Sequence, residues 1–188
     1  MNLFLIDKNI LECVVALCDK HCVKMILETC QVLYACWHVR SPLPDHDPTV
    51  APYRKTHVNH PISIWVRHNE SHYNWTCNYG LALCAEYTRR YGKIHKTQYH
   101  LERLQSWGYP PKVLPDVPIK KKTKEWVYAR KGIPSEFEYF PLCMDESSYT
   151  RVDGEYHAVA SYKNYYQSKN DKIKMEWRHT EKPTWFVN

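Results

Sequence analysis

The sequence predicts a mainly α fold: a compact single-domain helical bundle with a small irregular or β-hairpin element. Three observations carry this reading. Residues 20–38 repeat apolar side chains at helical spacing, and residues 70–91 carry the stripe Tyr73, Tyr79, Leu83 and Tyr87 before Gly92, a residue suited to a left-handed C-cap. Only residues 125–143 alternate enough to admit a hairpin. The 188 residues show no internal repeat and no domain boundary, so 1–188 reads as one domain large enough to bury a core.

In chain order, residues 3–6 are apolar and form a short strand or extended arm. Asp7 is placed to cap a helix from about Lys8 to Cys18, and Asp19 to cap a second from Lys20 to about His38. Four prolines without periodicity make the stretch from Arg40 to Arg54 a loop. Pro61 suits the first turn of a helix reaching about His68, and the longer helix runs from about Glu70 to Tyr91. Residues 97–107 make another short helix, and Pro110 to Pro118 is extended. Lys120–Lys124 is a basic cluster, the hairpin region follows, and Gly154 to Lys169 returns to a helical pattern.

Composition narrows the function. No apolar run approaches the roughly 18 residues that cross a bilayer, and a charge appears at Asp7, too early for a signal peptide. The expectation is a soluble cytoplasmic protein, in the host cytoplasm if viral, with no membrane partner. The five glycines are not clustered, so no Gly-rich phosphate loop exists, which argues against an ATP-driven enzyme. The eight cysteines include no C-x-x-C pair; Cys18-x-x-His21-Cys22 lacks the second ligand pair of a structural zinc site. They read as small buried hydrophobes, and neither metal nor cofactor is expected. A net charge of +6 with fifteen Tyr and seven Trp favours a nucleotide or nucleic-acid partner, because cations attract phosphate and aromatic rings stack on bases. A homo-oligomer is left open.

Four constellations could carry chemistry. His21, Lys24, Glu28 and Gln31 fall within an arc of roughly 80° on one helix face, opposite Val23, Ile26, Cys30, Leu33 and Trp37. That aims a base, a cation, a carboxylate and an amide into one cleft, where Glu28 can activate water or stabilise positive charge. Thr56-His57-Val58-Asn59-His60-Pro61, followed by Trp65 and Arg67, sets two His and an Asn before a helix N-terminus, a natural anion site. His57, Asn59, His60 and Arg67 are expected to meet Glu28 across a single cleft. Residues 86–96 pack basic side chains, Arg90 and Lys93 among them, beside two Tyr. Tyr162-Lys163-Asn164-Tyr165-Tyr166 reads as core plus solvated edge. A Ser or Cys nucleophile finds no nucleophile elbow or oxyanion motif.

Asp19-Lys20-His21 followed by Glu28 resembles the D-x-H-(x6)-E pattern in the first long helix of the phage and algal-virus pyrimidine-dimer DNA glycosylases, the endonuclease V family. Lys182-Pro183-Thr184-Trp185 is similar to that family's C-terminal R-P-T-W. The resemblance implies a helical N-glycosidase in which Glu28 is the catalytic carboxylate and His21 and Lys24 contact phosphate or sugar. Gln31, His57, Asn59, His60, Trp65, Arg67, Arg90 and Lys93 are the candidate substrate contacts. The family attacks the sugar with the α-amine of a small second residue; here position 2 is Asn, whose size hinders removal of Met1, so direct hydrolysis through Glu28 is expected. The substrate stays open between a damaged or modified base in DNA and a small or cyclic nucleotide signal destroyed as an anti-defence measure. The rival readings are a non-catalytic nucleotide sponge or nucleic-acid-binding module, and a protein that binds a host partner through its aromatic surface.

Overall fold

Leu3, Phe4, Leu5 and Ile6 are all 4% exposed or less, and this N-terminal arm is extended without pairing in a sheet. An apolar run with no polar alternation must be covered on every side, and the core covers it. The computed structural model describes residues 2–43, 53–118 and 125–187. Met1, the proline-rich middle of the 40–54 loop and the Lys120–Lys124 cluster lie outside the described residues.

Helix α1 (Ile10–Val15) is shorter than expected, because Asn9 rather than Asp7 caps it, accepting from Leu11 N at 2.8 Å and Glu12 N at 3.4 Å. Helix α2 (Asp19–Arg40) begins one residue before the expected start. Asp19 is its first helical residue and not its cap; the carboxylate instead accepts from Arg178 N at 2.9 Å. From Thr29 to Trp37 only Gln31 escapes full burial, so the polar face is confined to the first turns. Val23, expected on the buried side, is 38% exposed, and Leu27 is 36% exposed.

Helix α3 (Pro61–Val66) starts on the expected proline, capped by the His60 side chain. Helix α4 (Glu70–Tyr91) packs along α2 and ends at Gly92 in the left-handed region, φ 63°. Gly80 lets the helices close up: a Cβ there would lie 2.9 Å from Leu101 Cδ2 and 3.1 Å from Thr29 Cγ2. Helix α5 (Gln98–Trp107) supplies that leucine and packs on both long helices.

The expected hairpin exists in small form, β1 (Tyr128–Ala129) pairing antiparallel with β2 (Phe140–Pro141). A second one pairs β3 (Arg151–Val152) with β4 (Glu155–Tyr156), and its β4 strand takes the start of the span expected to be helical. Its two-residue loop, Asp153-Gly154, has φ of 49° and 79°, the doubly left-handed turn that Asp-Gly favours. Helix α6 (Ala158–Gln167) follows, capped by His157. It packs Tyr162 and Tyr166 into the core against Phe4. The tail returns to the start of α2, where Asp19 N donates to Glu176 O at 2.8 Å. Among the described residues no helix is long and apolar enough to cross a membrane.

Candidate active site

Glu28 sits on the third turn of α2 with a side chain 15% exposed. Its Oε1 lies 2.9 Å from Lys24 Nζ one turn earlier, and its Oε2 accepts from the backbone nitrogen of Asn2 at 3.3 Å. Lys24 is 62% exposed, so this pair adds little stability, about 0.5 kcal/mol. Its consequence is positional, since an ammonium and a backbone nitrogen flank one carboxylate at the protein surface.

Asn2 is fixed from behind and is 7% exposed. Its Nδ2 donates to Cys143 O at 3.0 Å, and its Oδ1 accepts from Leu3 N at 2.9 Å. The Tyr162 hydroxyl lies 3.0 Å from the same Oδ1 and 2.9 Å from Pro141 O, so one proton is shared between two acceptors. Sequence reasoning did not foresee that Asn2, Cys143 and Tyr162 meet, because their partners stand up to 160 residues away. The apolar run of residues 3–6 was the only signal that the N-terminus enters the core.

His21 does not face the cleft. It is 4% exposed, its Nδ1 is 2.9 Å from the Tyr166 hydroxyl and 3.4 Å from Cys18 Sγ, and its ring packs on Phe4. Burial first, then the charges of Lys169 and Lys24, push its pKa down from 6.5 to about 4. An unfolded chain therefore binds a proton that the folded one refuses between those values. Stability from this group is full above pH 6.5 and declines as pH falls toward 4. The loss should amount to about 3 kcal/mol. Urea melts of the parent and of His21→Phe across this range check it: the parent's advantage over the variant should shrink with falling pH.

The remaining candidates divide. Gln31 lies one turn beyond Glu28, half-buried. His60 lines a cavity of about 290 Å³ together with Trp126, Cys143, Asp145, Tyr149 and Tyr165. Cys143 lines this cavity and its carbonyl also holds the Asn2 side chain. Arg67 lines a different cleft of about 640 Å³ with Arg40, His68, Lys112 and Asp116. Arg40 is twelve residues past Glu28, about 18 Å along the helix. Arg67 also donates to Val58 O, and Asn59 Nδ2 donates to Pro118 O at 3.3 Å on the same side. His57 is exposed with φ 49°. Asn59 and Arg67 thus lie at the cleft lined by Arg40 and His68, away from Glu28, and His60 at a separate cavity that Glu28 does not line.

Trp65 is fully buried, stacked on His72 at 4.1 Å, and donates to Tyr139 O at 2.8 Å, which makes it core rather than a stacking platform for ligand. The Arg90 side chain is also fully buried, bonded to Glu86, Asp19 and the carbonyls of Val15 and Leu17. It stands beside Asp19, nine residues or about 14 Å before Glu28. Lys93 is exposed just past Gly92 at that same distal end.

All eight cysteines are free, and burial raises the Cys22 thiol to about 11, which leaves it a poor nucleophile. Among the described residues no group of three or more His, Cys, Asp or Glu side chains could hold a metal ion. Residues 1–99 match the family model for pyrimidine dimer DNA glycosylase. No curated protein and no solved structure matches the chain.

Proposed function

The chain belongs to the pyrimidine dimer DNA glycosylase family, and from that premise we propose that it cleaves a base–sugar bond in DNA with Glu28 as the working carboxylate. The observation that carries this reading is the contact of Glu28 with the Asn2 nitrogen, beside Lys24, on the family-matched half of the chain. Departure of a base leaves positive charge on the sugar, and a carboxylate held in a fixed position beside it stabilises that charge. The same oxygen atoms can orient water for attack at C1′. Lys24, exposed at the rim, suits the neighbouring phosphate.

Hydrolysis is the route for a chain in which Asn2 is joined to Met1, because a peptide nitrogen is not nucleophilic. The Glu28–Asn2 contact favours a second route where Asn2 carries a free α-amine. That amine would attack C1′, expel the base and form an imine after ring opening, with Glu28 taking its proton. Borohydride trapping on duplexes with a pyrimidine dimer or one modified base separates the routes. Free base without a covalent adduct is the expected result; an adduct through the Asn2 nitrogen would replace hydrolysis by the imine route. Recovery of every duplex and of cyclic oligonucleotides intact after denaturation would instead establish a binding sponge.

A further inference from the structure

We infer that the cleft at the far end of α2, between Arg40 and Arg67, is an anion site separate from Glu28, built for a phosphate carried on an organic body of about nucleotide size. Arg40 stands about 18 Å along the helix from Glu28, so the site neither uses the chemistry there nor depends on it.

Two cations meet in this cleft without counterions. Arg40, the last residue of α2, and Arg67, the C-cap of α3, are both half-buried and line the same space. A guanidinium carries five N–H donors and no acceptor. Arg40 donates through Nε to Pro110 O at 2.8 Å and through a terminal nitrogen to Arg67 O at 3.3 Å, while Arg67 donates to Val58 O. All three acceptors are carbonyls. Among the described residues no carboxylate lies within ion-pair distance of either guanidinium. Each Arg does end a helix, where a cation is favourable, but a helix end offers only about half a charge and leaves most of these donors unspent. Burial lowers the Arg67 pKa, and the Arg40 charge lowers it further, although Cys36 and Asp116 act the other way. An anion between the two guanidiniums offsets both costs.

The donors are also held before any ligand arrives. The Tyr109 ring lies under Arg40, 4.3 Å from the guanidinium carbon, and its hydroxyl donates to Arg67 O at 2.7 Å. Arg40 O accepts from Val113 N at 2.7 Å and Leu114 N at 2.8 Å, which fastens the extended 110–118 segment as the facing wall. Pre-set planar forks suit the paired oxygens of a phosphate and lose little freedom on binding it.

The size of the cleft describes the rest of the ligand. At about 640 Å³ it exceeds what a bare phosphate fills. Clefts of roughly 300–1,000 Å³ hold small organic ligands. Ile64, Leu114 and Val117 give it an apolar side for a sugar or base. At the mouth Lys112 pairs with Asp116 at 2.9 Å, both exposed, so the lining still has three cations to one carboxylate.

Titration calorimetry on the full chain tests this, with thymidine monophosphate, thymidine and inorganic phosphate as probes. Thymidine monophosphate should bind saturably, inorganic phosphate more weakly, and thymidine not at all. Arg40→Gln and Arg67→Gln should each weaken the nucleotide about tenfold, the scale of a charge-assisted hydrogen bond. Both also lose bonds to carbonyls, so Val117→Glu serves as a variant that removes no side-chain hydrogen bond; its carboxylate on the wall should weaken the nucleotide by a similar factor. A lesion-free duplex then identifies the source of the phosphate. A salt dependence of duplex binding that falls by about one phosphate in Arg67→Gln, with duplex displacing any bound nucleotide, assigns the site to the DNA backbone. Nucleotide binding undisturbed by saturating duplex assigns it to a free nucleotide. Nucleotide affinity and duplex salt dependence that ignore all three variants, or thymidine bound as tightly as its monophosphate, would overturn the site.

Discussion

Glu28→Gln is expected to bind DNA as the parent does and to release base at least about a hundredfold more slowly. The exchange keeps the length and shape of the side chain. The amide oxygen can still accept from the Asn2 nitrogen, now 3.3 Å from the carboxylate, so the N-terminal arm keeps its anchor. Stability should change little, since the ion pair removed has a partner 62% exposed to solvent. Only the negative charge opposite the developing sugar cation is lost. Each ~1.4 kcal/mol of lost transition-state stabilisation is tenfold in rate, so a charge contact of a few kcal/mol accounts for the size of the effect. Single-turnover base release and equilibrium DNA binding, measured on the same preparation, check both halves. A parental rate in the Gln variant would remove Glu28 from the chemistry.

What the sequence made legible here was local. Gly92 ends α4 where expected because a left-handed cap needs only its own φ, 63°. Pro61 opens α3 for the same reason, as its ring fixes the backbone of a first turn. Asp153-Gly154 is an equally local hairpin signal, masked by the helical periodicity that follows it in α6. The beginning of α2 was misjudged because Asp19 is claimed by Arg178 and Arg90, 159 and 71 residues away. Long-range partners likewise decide the site. Glu28 could be read from one helix, whereas the role of Asn2 depends on α6 and β2 arriving beside the N-terminal arm. Trp65 and His21 show the converse: chemistry-bearing side chains become core when their polar atoms find partners inside.

Arg90→Met should cost roughly 3 kcal/mol of stability, without changing base release per folded molecule. The guanidinium is fully buried and has four named partners: Glu86 Oε1 at 2.6 Å, Leu17 O at 2.8 Å, Val15 O at 2.9 Å and Asp19 Oδ1 at 3.2 Å. It thereby closes the end of α1 onto the start of α2 from α4. Methionine preserves much of the stem's volume, so the loss is of hydrogen bonds and not of packing. Two carbonyls lose a buried donor, and Glu86, 5% exposed, loses one of two cations. Burial alone would raise the Glu86 pKa, but hydrogen bonds from Arg89 and Arg90 outweigh it and hold it below the usual carboxylate range. That part of the stability is present above the unfolded-state pKa and is lost as pH falls through the depressed folded value, so the parent's lead over Arg90→Met should narrow in acid. Arg89 remains on Glu86 at 2.7 Å through both carboxylate oxygens, which places the cost toward the lower end for a broken buried pair. Glu86→Gln combined with Arg90→Met should recover part of the loss, because no buried charge is then left behind. Urea denaturation of the parent, the two single variants and the double variant measures that coupling. Additive losses would remove the Arg90–Glu86 coupling, and a loss of base release at unchanged stability would return Arg90 to the substrate.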